Sequence, residues 1–248
     1  MKEKIKTLLL VSIFVFIGNY ILLSILPKII RNIFLLETNM TNKFIVGVTV
    51  RIIGLIITLI ILKKLKLKLN YKFNFKYSLI SWVFIIYIVS NIEFVPIDNK
   101  MYFNLALMII EALSIGFYEE FLFRGLVFNI LKEKFKNIII PISISSILFG
   151  LIHFINLKNG YSFNIILYQV IYTTIIGFSM SSILIRTEYS IIWVSLLHGL
   201  YDVASGFEKF KVSSNNSGSL DILSVLIGLS YFIPLLIYSL IIIRKRKT

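Results

Sequence analysis

Apolar residues fall in long blocks along the chain, at about 7–26, 44–62, 78–92, 103–131, 138–157, 163–185, 190–206 and 220–243. A block of roughly 20 apolar residues crosses the hydrocarbon core of a bilayer as a helix. The pattern predicts an all-α polytopic membrane protein of about eight transmembrane helices, in a single domain over 1–248, with the 78–92 block the weakest signal. The first block follows the basic start MKEKIK, as a signal peptide would. Its apolar stretch is too long and lacks a small-x-small cleavage site, so it is read as a helix.

Two stretches depart from this rhythm. In KLKLKLNYKFNFK, with its core at 66–76, polar and apolar residues alternate with period two, a strand pattern. It reads either as a basic stop-transfer loop or as a surface strand lying on the membrane edge. The longest polar stretch, FEKFKVSSNNSGS (207–219), predicts an exposed connecting loop.

Composition agrees with the pattern: 58% of residues are hydrophobic and the mean hydropathy is +0.90. The net charge of +14 would suggest nucleic acid if its location were ignored. Assigned to alternate sides of the predicted spans, 17 lysines and arginines fall on one side and 7 on the other: Lys28, Arg31, Lys43, Lys100, Lys158, Lys209 and Lys211. That asymmetry predicts cytoplasmic termini in a multi-pass cell-membrane protein, with some attraction to anionic lipid and no nucleic-acid partner. The absence of cysteine excludes disulfides, thiol catalysis and cysteine-ligated zinc. Heavy use of Ile, Lys and Asn is what an AT-rich genome, such as a bacterium's, produces.

The chemistry lies inside the apolar blocks. In SIGFYEEFLFRGLVF (114–128), two glutamates and an arginine interrupt a lipid-like stretch, each at a cost of about 2.5–3.5 kcal/mol on insertion scales. Helical geometry puts Glu120 and Arg124 about 40° apart and Glu119 about 140° from Arg124. The spacing predicts a structural Glu120–Arg124 ion pair and leaves Glu119 for chemistry. The two histidines of the chain, His153 and His198, both fall in predicted spans, with Phe149 four residues before the first and Asp202 four after the second. Gly150 leaves room there for close helix approach. Measured from the cytoplasmic helix ends, Glu119, His153 and His198 lie about 18, 23 and 12 Å deep, so a common level is within reach. Arg51 and Glu111 also interrupt spans; both read as structural pairing residues, or Glu111 as part of the rim of a cavity.

In chain order, Glu119-Glu120-x-x-x-Arg124, Phe149-x-x-x-His153 and His198-x-x-x-Asp202 resemble the motifs of the CAAX-protease and bacteriocin-processing family of intramembrane proteases, over roughly 100–205. The resemblance implies an endopeptidase that hydrolyses a peptide bond of a peptide or protein substrate near the membrane, with Glu119, His153, His198 and Asp202 catalytic and no serine or cysteine nucleophile. Relatives include prenyl-protein proteases and bacterial peptide-processing or bacteriocin-immunity proteins. Two mechanisms fit. In one, Zn²⁺ held by His153, His198 and Glu119 activates a water. In the other, metal-free, Glu119 takes a proton from a water oriented by His153, and His198 with residue 202 stabilises the oxyanion. The family also uses Asn at the last position; Asp202 is a departure, because an ionised carboxylate cannot donate a hydrogen bond. The competing readings are a non-catalytic immunity or regulatory protein on the same fold, and an ion-coupled transporter, against which no inverted repeat is seen.

Overall fold

The computed structural model describes residues 2–92, 101–207 and 222–244. The loop from 208 onward and Lys100, Lys209 and Lys211 lie outside the described residues. Among the described residues eight helices follow the eight apolar blocks. They are α1 (Lys2–Ile33), α2 (Met40–Lys64), α3 (Ser78–Ser90), α4 (Tyr102–Glu120, then a π-helical stretch Phe121–Val127 and a last segment Phe128–Lys134), α5 (Ile139–Leu151, tightening to a 3₁₀ helix over Ile152–Asn159), α6 (Phe163–Arg186), α7 (Ile191–Gly206) and α8 (Ile222–Ser230 and Ile233–Arg244).

Five of these stretches are long and apolar enough to cross a membrane: α1, α2, α5, α6 and the Val225–Arg244 part of α8; α3 and α7 are shorter apolar helices. The protein is a polytopic, all-helical membrane protein. Its outer faces carry exposed apolar side chains such as Leu9, Ile13 and Ile17 on α1 and Ile52, Ile56 and Ile60 on α2. A contiguous apolar exterior of this kind suits lipid rather than water. Within α8 the block read as continuous turns at Tyr231–Phe232. Pro234 has no N–H to give the preceding turn, and Tyr231 and Phe232 close tighter bonds to Gly228 and Leu229 (3.3 and 3.0 Å).

The most charged helix is the most enclosed. Residues 118–128 of α4 are all buried, which places α4 at the centre of the bundle, packed on α7 and α2 while α5 packs on α6. The α4–α7 crossing depends on two glycines: a Cβ on Gly116 would lie 2.7 Å from both Gly199 Cα and Ser195 O, and one on Gly199 would lie 3.0 Å from Leu113 Cα. Small residues let backbones approach in this way. Gly116→Ala is expected to push the helices apart at a cost of about 1–3 kcal/mol. Thermal unfolding in detergent checks this; an unchanged midpoint would show that the crossing has slack.

The alternating 66–76 segment is neither a free loop nor part of a sheet. Among the described residues it makes one parallel bridge, Asn70 to Ser190, in which Asn70 O accepts from Ile191 N (2.9 Å) and Asn70 Nδ2 donates to Glu188 O (2.7 Å). Leu67 and Leu69 pack on the core while Lys66 and Lys68 are exposed. Over 66–69 the alternation records a two-faced chain, whereas Tyr71, Phe73 and Phe75 are exposed like the polar residues between them. With no neighbouring strand to pair with, it forms no ladder.

Candidate active site

Three helices, α4, α5 and α7, carry the motif residues, and a fourth, α6, packs against them. On α4, Glu119, Glu120 and Arg124 are buried, the last two completely. Arg124 Nη1 donates to Glu120 Oε1 (3.0 Å), Nη2 to Gly177 O (2.7 Å) and Nε to Ser181 Oγ (3.4 Å), both on α6. The expected ion pair is present, and α6 completes the guanidinium's partners.

On α7, Ser190 caps the first turn by accepting from Trp193 N (3.3 Å), and the helix carries His198 across from α4 at the glycine crossing. His198 Nδ1 donates to Glu120 Oε1 (2.8 Å). Its Nε2 faces two further carboxylates, Glu119 Oε2 at 3.7 Å and Asp202 Oδ2 at 3.6 Å. This corrects the division of labour read from helical angles. Glu120 does more than neutralise Arg124: the same oxygen fixes the ring of His198. The angular argument covered one helix, whereas His198 arrives from another.

On α5, His153 sits in the first turn of the 3₁₀ stretch and its Nδ1 donates to Phe149 O (3.0 Å). A carbonyl can only accept, so Nε2 of the neutral ring is left as an acceptor. The Phe149 ring meets His153 and His198 edge-on, with centroids 5.4 and 5.7 Å away, and the Arg124 guanidinium lies 4.8 Å from its centre. Phe149 thus stands between the two histidines and the ion pair. In the sequence it was a spacing residue only; its aromatic contacts were not legible.

Glu119, His153, His198 and Asp202 line one cavity of about 600 Å³, together with Arg51 and Glu111. The first three, expected to come within reach of one another, line this one cavity, and Glu111 and Arg51 belong to its wall as well. Gly150 gives the close approach expected of it, since a Cβ there would lie 2.6 Å from Val170 O of α6. Among the described residues no three His, Asp or Glu side chains are placed to hold a metal ion, His153, His198 and Glu119 included.

Residues 101–204 match the family model of the Rce1-like type II CAAX prenyl endopeptidases. The matched segment runs from the start of α4 nearly to the end of α7, so it contains every motif residue of the cavity. The resemblance read from the three motifs is borne out over that span, and α1–α3 and α8 lie outside it. Comparisons with curated proteins and with solved structures returned no match. The Rce1-like segment supplies the buried carboxylate–histidine cluster, while the cavity also draws walls from α1 and α2. Tyr118 Oη, donating to Asn19 Oδ1 (2.8 Å), ties the segment to α1.

Proposed function

We propose that the protein is an intramembrane endopeptidase that hydrolyses a peptide bond with a water activated by Glu119. The observation that carries this reading is the setting of His198: one nitrogen is pinned by Glu120 and the other faces Glu119 and Asp202 across 3.7 and 3.6 Å. Those gaps exceed a hydrogen bond, so neither carboxylate is bonded to Nε2, and a water or a substrate oxygen seated beside the three groups can contact each of them.

Glu119 takes a proton from the water, whose oxygen attacks the peptide carbonyl carbon. Nε2 of His153, left as an acceptor, accepts a hydrogen bond from the water's other hydrogen, which stays on the oxygen, and so aims it. His198, held in register by Glu120 and in this role carrying a hydrogen on both ring nitrogens, donates from Nε2 to the oxyanion. Glu119 then passes its proton to the departing amine nitrogen as the C–N bond breaks. Asp202 acts by orienting His198, whose Nε2 it faces at 3.6 Å. The alternation of charge along the chain supports cytoplasmic termini, with the cavity entered from the opposite face.

His198→Ala is expected to abolish cleavage, read by mass spectrometry on a peptide mixture incubated with purified protein. Asp202→Asn sets the proposed chemistry against the zinc-dependent alternative. With residues alone, the amide can itself donate to an oxyanion and activity survives within about tenfold. With a zinc-dependent reaction in which Asp202 is a ligand, activity and the metal content of the purified protein fall together. Full activity in His198→Ala would sink the assignment of the site. A regulator without catalysis would yield no cleaved peptide from the unsubstituted protein.

A further inference from the structure

Between the end of α2 and the start of α3 the chain carries six lysines and no acid, over residues 63–76, and all six are exposed. Tyr71, Phe73 and Phe75, spaced among them, are exposed as well. Lysine at this end of the bundle is what the topology requires. Topology gives no reason for the exposed rings, nor for the way the stretch is fastened. Besides the bridge of Asn70 to the start of α7, Ser190 Oγ donates to Lys72 O, and Lys76 pairs with Glu188 (3.4 Å).

Beside this stretch lies a second cavity, of about 280 Å³, just under the range of about 300–1,000 Å³ usual for small-molecule sites. Its polar lining includes Lys68 of the stretch, Asn129 and Lys132 of α4, and Glu188 of the turn before α7; Leu69, Leu184 and Ile191 give it an apolar wall. Lys132 Nζ stands over the Tyr189 ring, 3.9 Å from its centre. The Glu188 carboxylate is matched by Lys76. Among the described residues Lys68 and Lys132 sit in no ion pair, so two ammonium groups at one opening keep their charge for a partner.

We propose that this second cavity is a binding site for an anionic phospholipid, with the phosphate of the headgroup held by Lys68 and Lys132. The occupant is a lipid rather than a soluble anion because the apolar exterior begins directly beside the site. Leu79, Trp82 and Ile86 are exposed along α3, whose first turn follows the stretch, and rings such as those of Tyr71, Phe73 and Phe75 are common where headgroups meet acyl chains. The site also touches the helices of the candidate active site. A Cβ on Gly125 of α4 would lie 3.5 Å from Leu69, the Tyr71 ring lies 6.2 Å from that of Phe121 on α4, and the Phe73 ring lies 5.4 Å from that of Trp193 on α7. A bound lipid therefore braces α4 and α7, which carry Glu119 and His198, whatever reaction those residues perform.

The test is native mass spectrometry of the full chain in mixed micelles holding equal amounts of phosphatidylglycerol and phosphatidylcholine. A lysine near an anionic surface strengthens attachment about fivefold, so two of them predict retention of phosphatidylglycerol about twentyfold over phosphatidylcholine. Lys68→Gln with Lys132→Gln should bring the two lipids close to parity, and either change alone should cost about fivefold. Lys68→Arg with Lys132→Arg keeps both charges and should keep most of the preference. Lys2→Gln with Lys6→Gln makes the same change of charge at exposed positions of α1 and should leave the preference intact. Thermal unfolding shows that each variant is folded. Phosphatidylglycerol should raise the midpoint of the unsubstituted protein and leave that of the Gln pair unmoved. Sodium phosphate at a matching phosphate concentration should move neither.

Equal retention of the two lipids by the unsubstituted protein would overturn the site. So would an equal fall in the Lys2 and Lys6 control, which would reduce the effect to the overall charge of the protein. A preference kept by a folded Gln pair would place the lipid elsewhere. A midpoint raised by sodium phosphate as much as by the lipid would make the cavity a site for a soluble anion. Cleavage enters none of these readouts, so the site stands or falls apart from the peptidase assignment.

Discussion

Glu119→Gln is expected to reduce peptide cleavage by about 10²–10⁴-fold while the protein keeps its fold. The carboxylate is buried and lines the cavity, and the polar group nearest to it in the cluster is His198 Nε2, at 3.7 Å. Glutamine preserves its shape and removes its ability to accept a proton from water. No ion pair to Arg124 is lost, because that contact belongs to Glu120. Thermal unfolding and cleavage measured on one preparation check the two halves of the expectation. A folded variant that still cleaves would remove Glu119 from the chemistry. A variant that unfolds would show that the carboxylate is structural.

Glu120→Gln is expected to cost about 3–5 kcal/mol of stability, because a completely buried guanidinium loses its charge partner. Arg124 would keep Gly177 O, Ser181 Oγ, the Phe149 ring and the new amide oxygen, none of which carries a charge. The same change also weakens the contact that fixes His198 Nδ1 (2.8 Å), so activity should fall as well. A second variant separates the two effects. Glu120→Met combined with Arg124→Met removes both charges, and apolar replacement of a buried pair is often neutral or stabilising. That double variant should recover much of the lost stability without recovering cleavage, since His198 has lost its acceptor. If cleavage returns along with stability, Glu120 is a charge partner only, and the pinning of His198 has no catalytic role.

The shared oxygen of Glu120 also explains why the ion pair sits where it does. A pair used only to neutralise a charge could lie anywhere along α4. Here the π-helical stretch that follows Glu120 contains Arg124, and the guanidinium reaches α6 on one side and covers the Phe149 ring of α5 on the other. One residue thereby fastens three helices around the histidines. Irregular turns of this kind are frequent at functional sites.

The sequence by itself determined the helices, because a run of apolar residues has one low-cost conformation in lipid, in which every backbone group is bonded within its own segment. It determined the candidate cluster for the same reason. Ionisable residues inside such runs are costly enough that Glu119, Glu120, Arg124, His153 and His198 stand out without any knowledge of their neighbours. The i,i+4 pairs Glu120–Arg124 and His198–Asp202 could be read because both members ride on one helix. Contacts between helices could not. That His198 Nδ1 meets Glu120 rather than Glu119 depends on how α7 crosses α4, which Gly116 and Gly199 set through backbone contact. The role of Phe149 likewise exists only once α4, α5 and α7 are packed. The turn within α8 was within reach of the sequence, since Pro234 marks it, but the apolar run hides it. Four cations that line the first cavity show the limit most directly. Lys28, Arg31, Lys43 and Lys158 are more than a hundred residues apart at the extremes and looked like scattered loop charges. Only the packing of α1, α2 and α5 places them around one opening, because charges remote along a chain become neighbours through tertiary contacts that no local periodicity records.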